Sequence, residues 1–212
     1  MTAPAPTLPR KKLPIGIQTF REIREGDYYY VDKTPLALQL LDAGKYYFLS
    51  RPRRFGKSLL IDTLAELFAG SRALFQGLHA EQHWDWSQTH PVIRISFGKG
   101  VLASREALDI RIRLLLIDNY QRLHLPVPEG QDIPGLLSQL IQQAHRQSGQ
   151  RVVVLVDEYD KPILDNITAP DAARQMRDGL RNLYSVIKDE DAHIRFAMLT
   201  GVSKFSKVSL LS

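Results

Sequence analysis

The chain has 212 residues, 44% hydrophobic and 24% charged, enough for one sizeable domain with a real core. It has no cysteine, which excludes disulfide frameworks and thiolate metal sites, and its start lacks the apolar segment of a signal peptide. No apolar run is long enough for a membrane helix, so the expectation is a soluble cytoplasmic protein with no membrane partner; a net charge of +5 is compatible with nucleic acid or a polyanionic triphosphate but also with an ordinary charged surface, and decides nothing alone.

The opening MTAPAPTLPRKK, rich in Pro, Ala and Thr with a basic end, reads as a flexible lead-in over 1–14. Tyr28–Val31 is a short β-prone run, and Asp32 or Thr34, with Pro35 in the first turn, starts a helix that should stop near Gly44. Tyr46–Leu49 is continuously apolar or aromatic, as in a strand buried on both faces. After Arg51–Ser58, the positions Leu60, Leu64, Leu67 and Phe68 form one helical stripe closed by Gly70. Residues 91–97 alternate as a strand, 104–124 and Ile133–Gln147 read as helices, and Val152–Val156 is the clearest strand. Met176, Leu180, Leu183, Tyr184 and Ile187 mark another helix, and Ile194–Leu199 a last strand. Strands alternating with helices predict an α/β/α three-layer fold with a mainly parallel sheet. The sequence ends in an apolar stretch at Leu210-Leu211-Ser212, so the expectation is a fragment whose last core strand lies further on.

Gly56-Lys57-Ser58 stands where a buried strand turns into a helix. That setting suits a triphosphate, because backbone N–H groups and a helix N-terminus can face the phosphates while a lysine reaches the terminal ones. Lys57 supplies the point charge and the Ser58 hydroxyl a ligand for Mg2+. The pattern G-x-x-x-x-G-K-[ST] is incomplete, since Arg51 holds the first glycine position. The candidate cofactor-binding run is Arg51, Pro52, Arg53, Arg54, Phe55, Gly56, Lys57, Ser58 and Leu59; at least one of Arg53 and Arg54 is expected to face solvent or an acidic neighbour.

About a hundred residues further on, the apolar run ends in Asp157-Glu158. A buried parallel strand delivers its last residues to the sheet edge where ligands bind. Asp157 is the second candidate metal ligand, with Ser58, and Glu158 the candidate general base that polarises the attacking water. Each motif alone could be an ordinary turn; their order and joint occurrence carry the reading. At the tip of the last strand Thr200 is the first candidate to sense the γ-phosphate or position water, then Ser203 and Lys204, against a turn using these side chains locally. Of the six histidines, His79 and His83 have i, i+4 spacing without a third ligand, and Asp189-Glu190-Asp191 reads as a solvated helix end.

Several stretches together resemble one family: Ile15-Gly16-Ile17-Gln18-Thr19-Phe20, Tyr30-Val31-Asp32-Lys33-Thr34, Arg51–Ser58, Val156–Pro162 and Leu199–Ser206 look like the predicted AAA-ATPase-like domain of bacterial proteins. The resemblance runs from about Leu13 onward. It implies an ATP-binding P-loop domain of the additional-strand class, with Lys57, Ser58, Asp157 and Glu158 in the roles above, and a nuclease-like domain of the PD-(D/E)XK type following it. It also implies that residues 15–44 pack on a 45–212 core near the nucleotide, where Phe20, Tyr30 or Asp32 would line the base. Two functions follow: Mg2+-dependent hydrolysis of ATP, or a nucleotide-dependent switch that turns over little and controls a C-terminal domain or nucleic acid. Direct binding of nucleic acid through Lys11, Lys12 and the loop arginines, and a homo-oligomer, are the further partners the sequence leaves open.

Overall fold

A computed structural model describes residues 11–203. Its centre is a four-stranded sheet of β1 (Tyr46–Ser50), β2 (Val92–Ser96), β3 (Val152–Asp157) and β4 (Ile194–Gly201). All neighbours pair in parallel, in the spatial order β1-β4-β3-β2, so β4 separates β1 from β3. Parallel strands need long crossovers, and each here carries helices. The helices α1 (Phe20–Glu25) and α2 (Thr34–Ala43) precede β1. The helices α3 (Lys57–Phe68) and α4 (His79–His83) join β1 to β2. Then α5 (Arg105–Arg122) and α6 (Ile133–Ser148) lead to β3, and α7 (Lys161–Leu164) and α8 (Pro170–Asp189) to β4.

Side chains of β3 alternate between two cores, and the strand is buried along its whole length. Val152, Val154 and Val156 pack with Ile112, Leu140 and Leu183 from α5, α6 and α8. Val153 and Leu155 face the other layer, against Leu64 and Phe68 of α3 and Phe20 of α1. Each fully buried aliphatic or aromatic side chain contributes roughly 1.5–3 kcal/mol of apolar transfer, which explains the continuous apolar run in β3. This is a mixed α/β fold with helices on both faces of a parallel sheet, as the alternation of patterns predicts.

The open edge of β2 is closed by a side chain. The Arg94 backbone N–H donates to Asn119 Oδ1 at 2.8 Å, and Asn119 Nδ2 donates to the Arg94 carbonyl at 2.7 Å. A buried amide on α5 thus reproduces the donor and acceptor of a neighbouring strand. Helix ends follow their capping residues: Ser104 accepts from Ala107 N–H at 3.2 Å, Asp132 from Gly135 N–H at 2.8 Å, and α6 stops at Gly149 with φ +68°.

Two expectations are corrected. Tyr28–Val31 forms no strand: Tyr28 makes an isolated bridge with Lys12, and Tyr30 packs against Phe20 at 5.1 Å between ring centres. Its β-prone residues are used for packing, which local propensity does not distinguish from pairing. Asp189-Glu190-Asp191 is not a wholly solvated end either. Glu190 is buried and accepts from Ser138 Oγ at 2.5 Å and Gln142 Nε2 at 2.9 Å, while Asp191 takes Lys45 Nζ at 2.6 Å.

Candidate functional site

Because all strands run the same way, their C-terminal ends share one edge. Ser50 is in register with Gly201, and Ser96 with Asp157. The pairing continues one step past the strands: Arg51 N–H donates to Gly201 O at 3.1 Å, and Tyr159 N–H to Thr200 O at 3.0 Å. Arg51 therefore extends β1, which accounts for a side-chain-bearing residue at the first glycine position of the loop.

The loop then curls over Lys57. Arg54 and Gly56 both take positive φ, +65° and +74°, and Gly56 is the residue from which α3 starts. Lys57 is only 7% exposed, and its ammonium donates to the carbonyls of Arg51 and Pro52, each at 2.9 Å. The first N–H groups of α3, at Lys57, Ser58 and Leu59, have no intrahelical acceptor. Free N–H groups at a helix start, around a lysine, are a concave donor surface suited to phosphate. Arg51, Arg53, Arg54 and Phe55 are exposed, with Phe55 at 64%.

Asp157 lies at the end of β3, 9% exposed. Its Oδ1 accepts from Thr200 Oγ1 at 2.5 Å and from Glu158 N–H at 3.0 Å. Thr200 is fully buried, so its hydroxyl orients Asp157 rather than facing an open phosphate surface. Glu158 has φ +54°, and a Cβ on Gly98 would stand 3.4 Å from its Oε2. Its carboxylate therefore reaches across to the loop after β2.

Next to this pair the loops after β3 and β4 are locked together by Asp160, a residue to which the sequence reading gave no role. The Asp160 carboxylate, 1% exposed, accepts from Val202 N–H at 2.9 Å, Ser203 N–H at 2.6 Å and Ser203 Oγ at 2.7 Å. Tyr159 Oη adds a bond to Ser203 O at 3.0 Å. Ser203 is thereby occupied in this clamp, and Lys204 lies outside the described residues. Asp160→Ala strands three donors and is expected to cost about 2–4 kcal/mol. Hydrogen exchange checks it: the Val202 and Ser203 amides should lose their protection in the variant, and unchanged rates would contradict the clamp.

Ser58 and Asp157 face the same cavity, of about 620 Å3. Their hydroxyl and carboxylate are hard oxygen donors, the type Mg2+ takes in small number when phosphate and water fill its other positions. Among the described residues no three His, Cys, Asp or Glu side chains converge on a metal-sized site. The residues present thus fit a Mg2+ that arrives with a phosphate ligand better than a cation caged by protein alone.

The base-lining candidates do not gather here. Phe20 is fully buried, 4.8 Å from the Phe75 ring centre, and has no face left for a base. Burial pushes the Tyr30 hydroxyl above its ordinary pKa. Burial also acts to raise the Asp32 carboxyl, but N–H and hydroxyl donors from His79 and Thr34 outweigh it and hold Asp32 below the usual range. Asp32 is a local tie, taking Thr34 N–H at 2.8 Å and His79 N–H at 2.7 Å. The His79 and His83 rings stack at 3.8 Å. Among the described residues no helix is long and apolar enough to cross a membrane.

The comparisons agree with the resemblance. Over 204 residues the chain is 65% identical to a protein from Azotobacter chroococcum mcd 1 described as an uncharacterized protein in the vnfD 5′ region. The match covers 96% of this chain and 39% of that protein, so the chain spans about two-fifths of its relative's length. No solved structure matches significantly. The family model described as predicted AAA-ATPase matches residues 14–211, nearly the whole chain, and the chain belongs to that family.

Proposed function

We propose that the chain is a P-loop domain of the additional-strand class that binds ATP with Mg2+ and hydrolyses it. The observation that carries this reading is the meeting of Arg51–Ser58 and Asp157-Glu158 at one end of a parallel sheet, with β4 between their strands. One strand between the phosphate strand and the acidic strand is the arrangement expected of that class, and family membership favours ATP over GTP. Residues 45–203 supply these elements, and 15–44 add α1 and α2 to the α3 side.

The steps follow from the side chains. The N–H groups from Arg53 to Leu59 take phosphate oxygens, and Lys57 exchanges its carbonyl partners for the β- and γ-phosphates. Ser58 and Asp157 hold Mg2+, which when bound neutralises charge on the phosphate oxygens. Thr200 acts as a positioning residue by fixing the Asp157 carboxylate. A water oxygen attacks the γ-phosphorus, the bond to the bridging oxygen of ADP breaks, and the water proton passes to Glu158. Electrostatic stabilisation falls to Lys57 and the loop amides.

Glu158→Gln separates binding from chemistry. Steady-state turnover is expected to fall at least about 100-fold while ATP affinity is kept, because the amide still packs at Gly98 but takes no proton. Undiminished turnover would remove Glu158 from the reaction.

A further inference from the structure

The triphosphate reading uses only one corner of the cavity. From Ser58 and Asp157 it continues past Ser96 and Arg94 on β2 to Arg111 and Leu114 on α5, with Gln18 and Thr19 on its wall. Of the phosphate loop only Ser58 reaches that wall, so most of the cavity lies beyond the loop's concave surface. At about 620 Å3 it falls within the size range of small-molecule sites.

We infer that this outer part is a separate subsite for a small organic anion, bearing a phosphate or carboxylate group, bound by Arg94, Lys99 and Arg111 beside the γ-phosphate corner. Only its placement beside a γ-phosphate rests on the ATP reading. The walls carry cations and carboxylates, but their bonding differs. Asp62 is already committed, to Phe20 N–H at 2.6 Å and to the Arg94 guanidinium. Asp157 is committed to Thr200 and Glu158. Asp118, the third carboxylate of the wall, interacts electrostatically with Arg122. Against it stand Lys99, whose ammonium has no ion pair among the described residues, and two guanidiniums with N–H groups to spare. The surplus of donors calls for an acceptor-rich ligand.

The two guanidiniums are also held in place. Asp62 is 6% exposed and anchors Arg94, whose side chain is 42% exposed, towards the cavity. Arg111 donates to the Lys99 carbonyl at 3.0 Å, which ties α5 to the loop after β2. Leu114 and Leu115, with the edge of Ile61, give the remaining wall an apolar surface for the ligand's carbon skeleton. A water-filled gap between helices would need none of this fixed donor arrangement.

The test is an NMR titration of the full chain with two probes, inorganic phosphate and citrate, before and after saturation with Mg2+ and a non-hydrolysable ATP analogue. At least one probe is expected to shift the Ser96, Lys99 and Arg111 amides saturably in the nucleotide-loaded protein. Lys99→Gln and Arg111→Gln, both at surface contacts, should each weaken that response at least about 10-fold. A response to phosphate alone assigns a phosphorylated ligand, and one to citrate a carboxylate. Absence of a saturable shift, its loss on nucleotide loading, or equal affinity in both variants would overturn the subsite. Failure of the ATP analogue to bind would strike the ATP reading instead, and the nucleotide-free titration with the same variants would still decide the cavity.

Discussion

Lys57→Ala is expected to bind Mg2+-ATP at least about 100-fold more weakly than the wild-type chain while remaining folded. The wild-type ammonium is nearly buried and meets two backbone carbonyls, Arg51 O and Pro52 O, with no carboxylate partner in the loop. Such a charge lacks full compensation until an anion reaches it. Removing it from a bound triphosphate eliminates charge-assisted bonds worth roughly 1.5–3 kcal/mol each, and more than one phosphate is within its reach in the proposed mode. The cost to the empty fold is small, because the two carbonyls lose neutral-acceptor bonds at a loop that water can enter, about 2 kcal/mol at most. Isothermal titration calorimetry with a melting curve on the same sample checks both halves. Wild-type affinity in the folded variant would move the phosphate site off this loop.

Gly201→Ala should be the most damaging small substitution at the site. A Cβ there would lie 2.2 Å from Tyr159 Cε1 and 2.6 Å from Asp160 Oδ1. Neither neighbour is free to yield: Tyr159 is fully buried, 4.9 Å from the Phe48 ring centre, and Asp160 holds the clamp on Val202 and Ser203. Overpacking of this kind costs about 3 kcal/mol, which for a chain of this size lowers the melting temperature by roughly 6–12 °C. Thermal denaturation followed by circular dichroism reads it. A melting temperature within a degree of wild type would mean that the loops after β3 and β4 are not locked as described.

The repeating elements were legible because burial writes itself into the sequence. Val152–Val156 is apolar throughout since both faces of β3 are covered, and Leu64, Leu67 and Phe68 keep the spacing of one helical face, although α3 also buries Ile61, Asp62, Thr63 and Ala65, which that spacing does not mark. The helix α1 escaped notice because its six residues bury only Phe20 and Ile23, too few for a period to appear. At the candidate site, the loop and the acidic pair were read from Gly56-Lys57-Ser58 and Asp157-Glu158 standing, in that order, at strand-to-loop transitions. What Thr200, Asp160 and Gly201 do depends on which strands are neighbours. Thr200 meets Asp157 only because β4 inserts beside β3, forty-three positions away in sequence. The Arg94–Asp62 contact likewise joins β2 to α3 across the α3 side of the sheet, a relation without a local signature. Asp160 offered one faint signal, a second aspartate three positions after Asp157, which by itself indicates only a polar turn.

The most direct test of the central claim is the Mg2+ dependence of ATP binding to the wild-type chain, measured by calorimetry in Mg2+ and again in EDTA. Ser58 and Asp157 on one cavity wall predict that removing Mg2+ weakens ATP binding at least about 10-fold, because the Asp157 carboxylate then faces the phosphates without a cation between them. Equal affinity in Mg2+ and EDTA, or no ATP binding by the folded chain, would contradict the account.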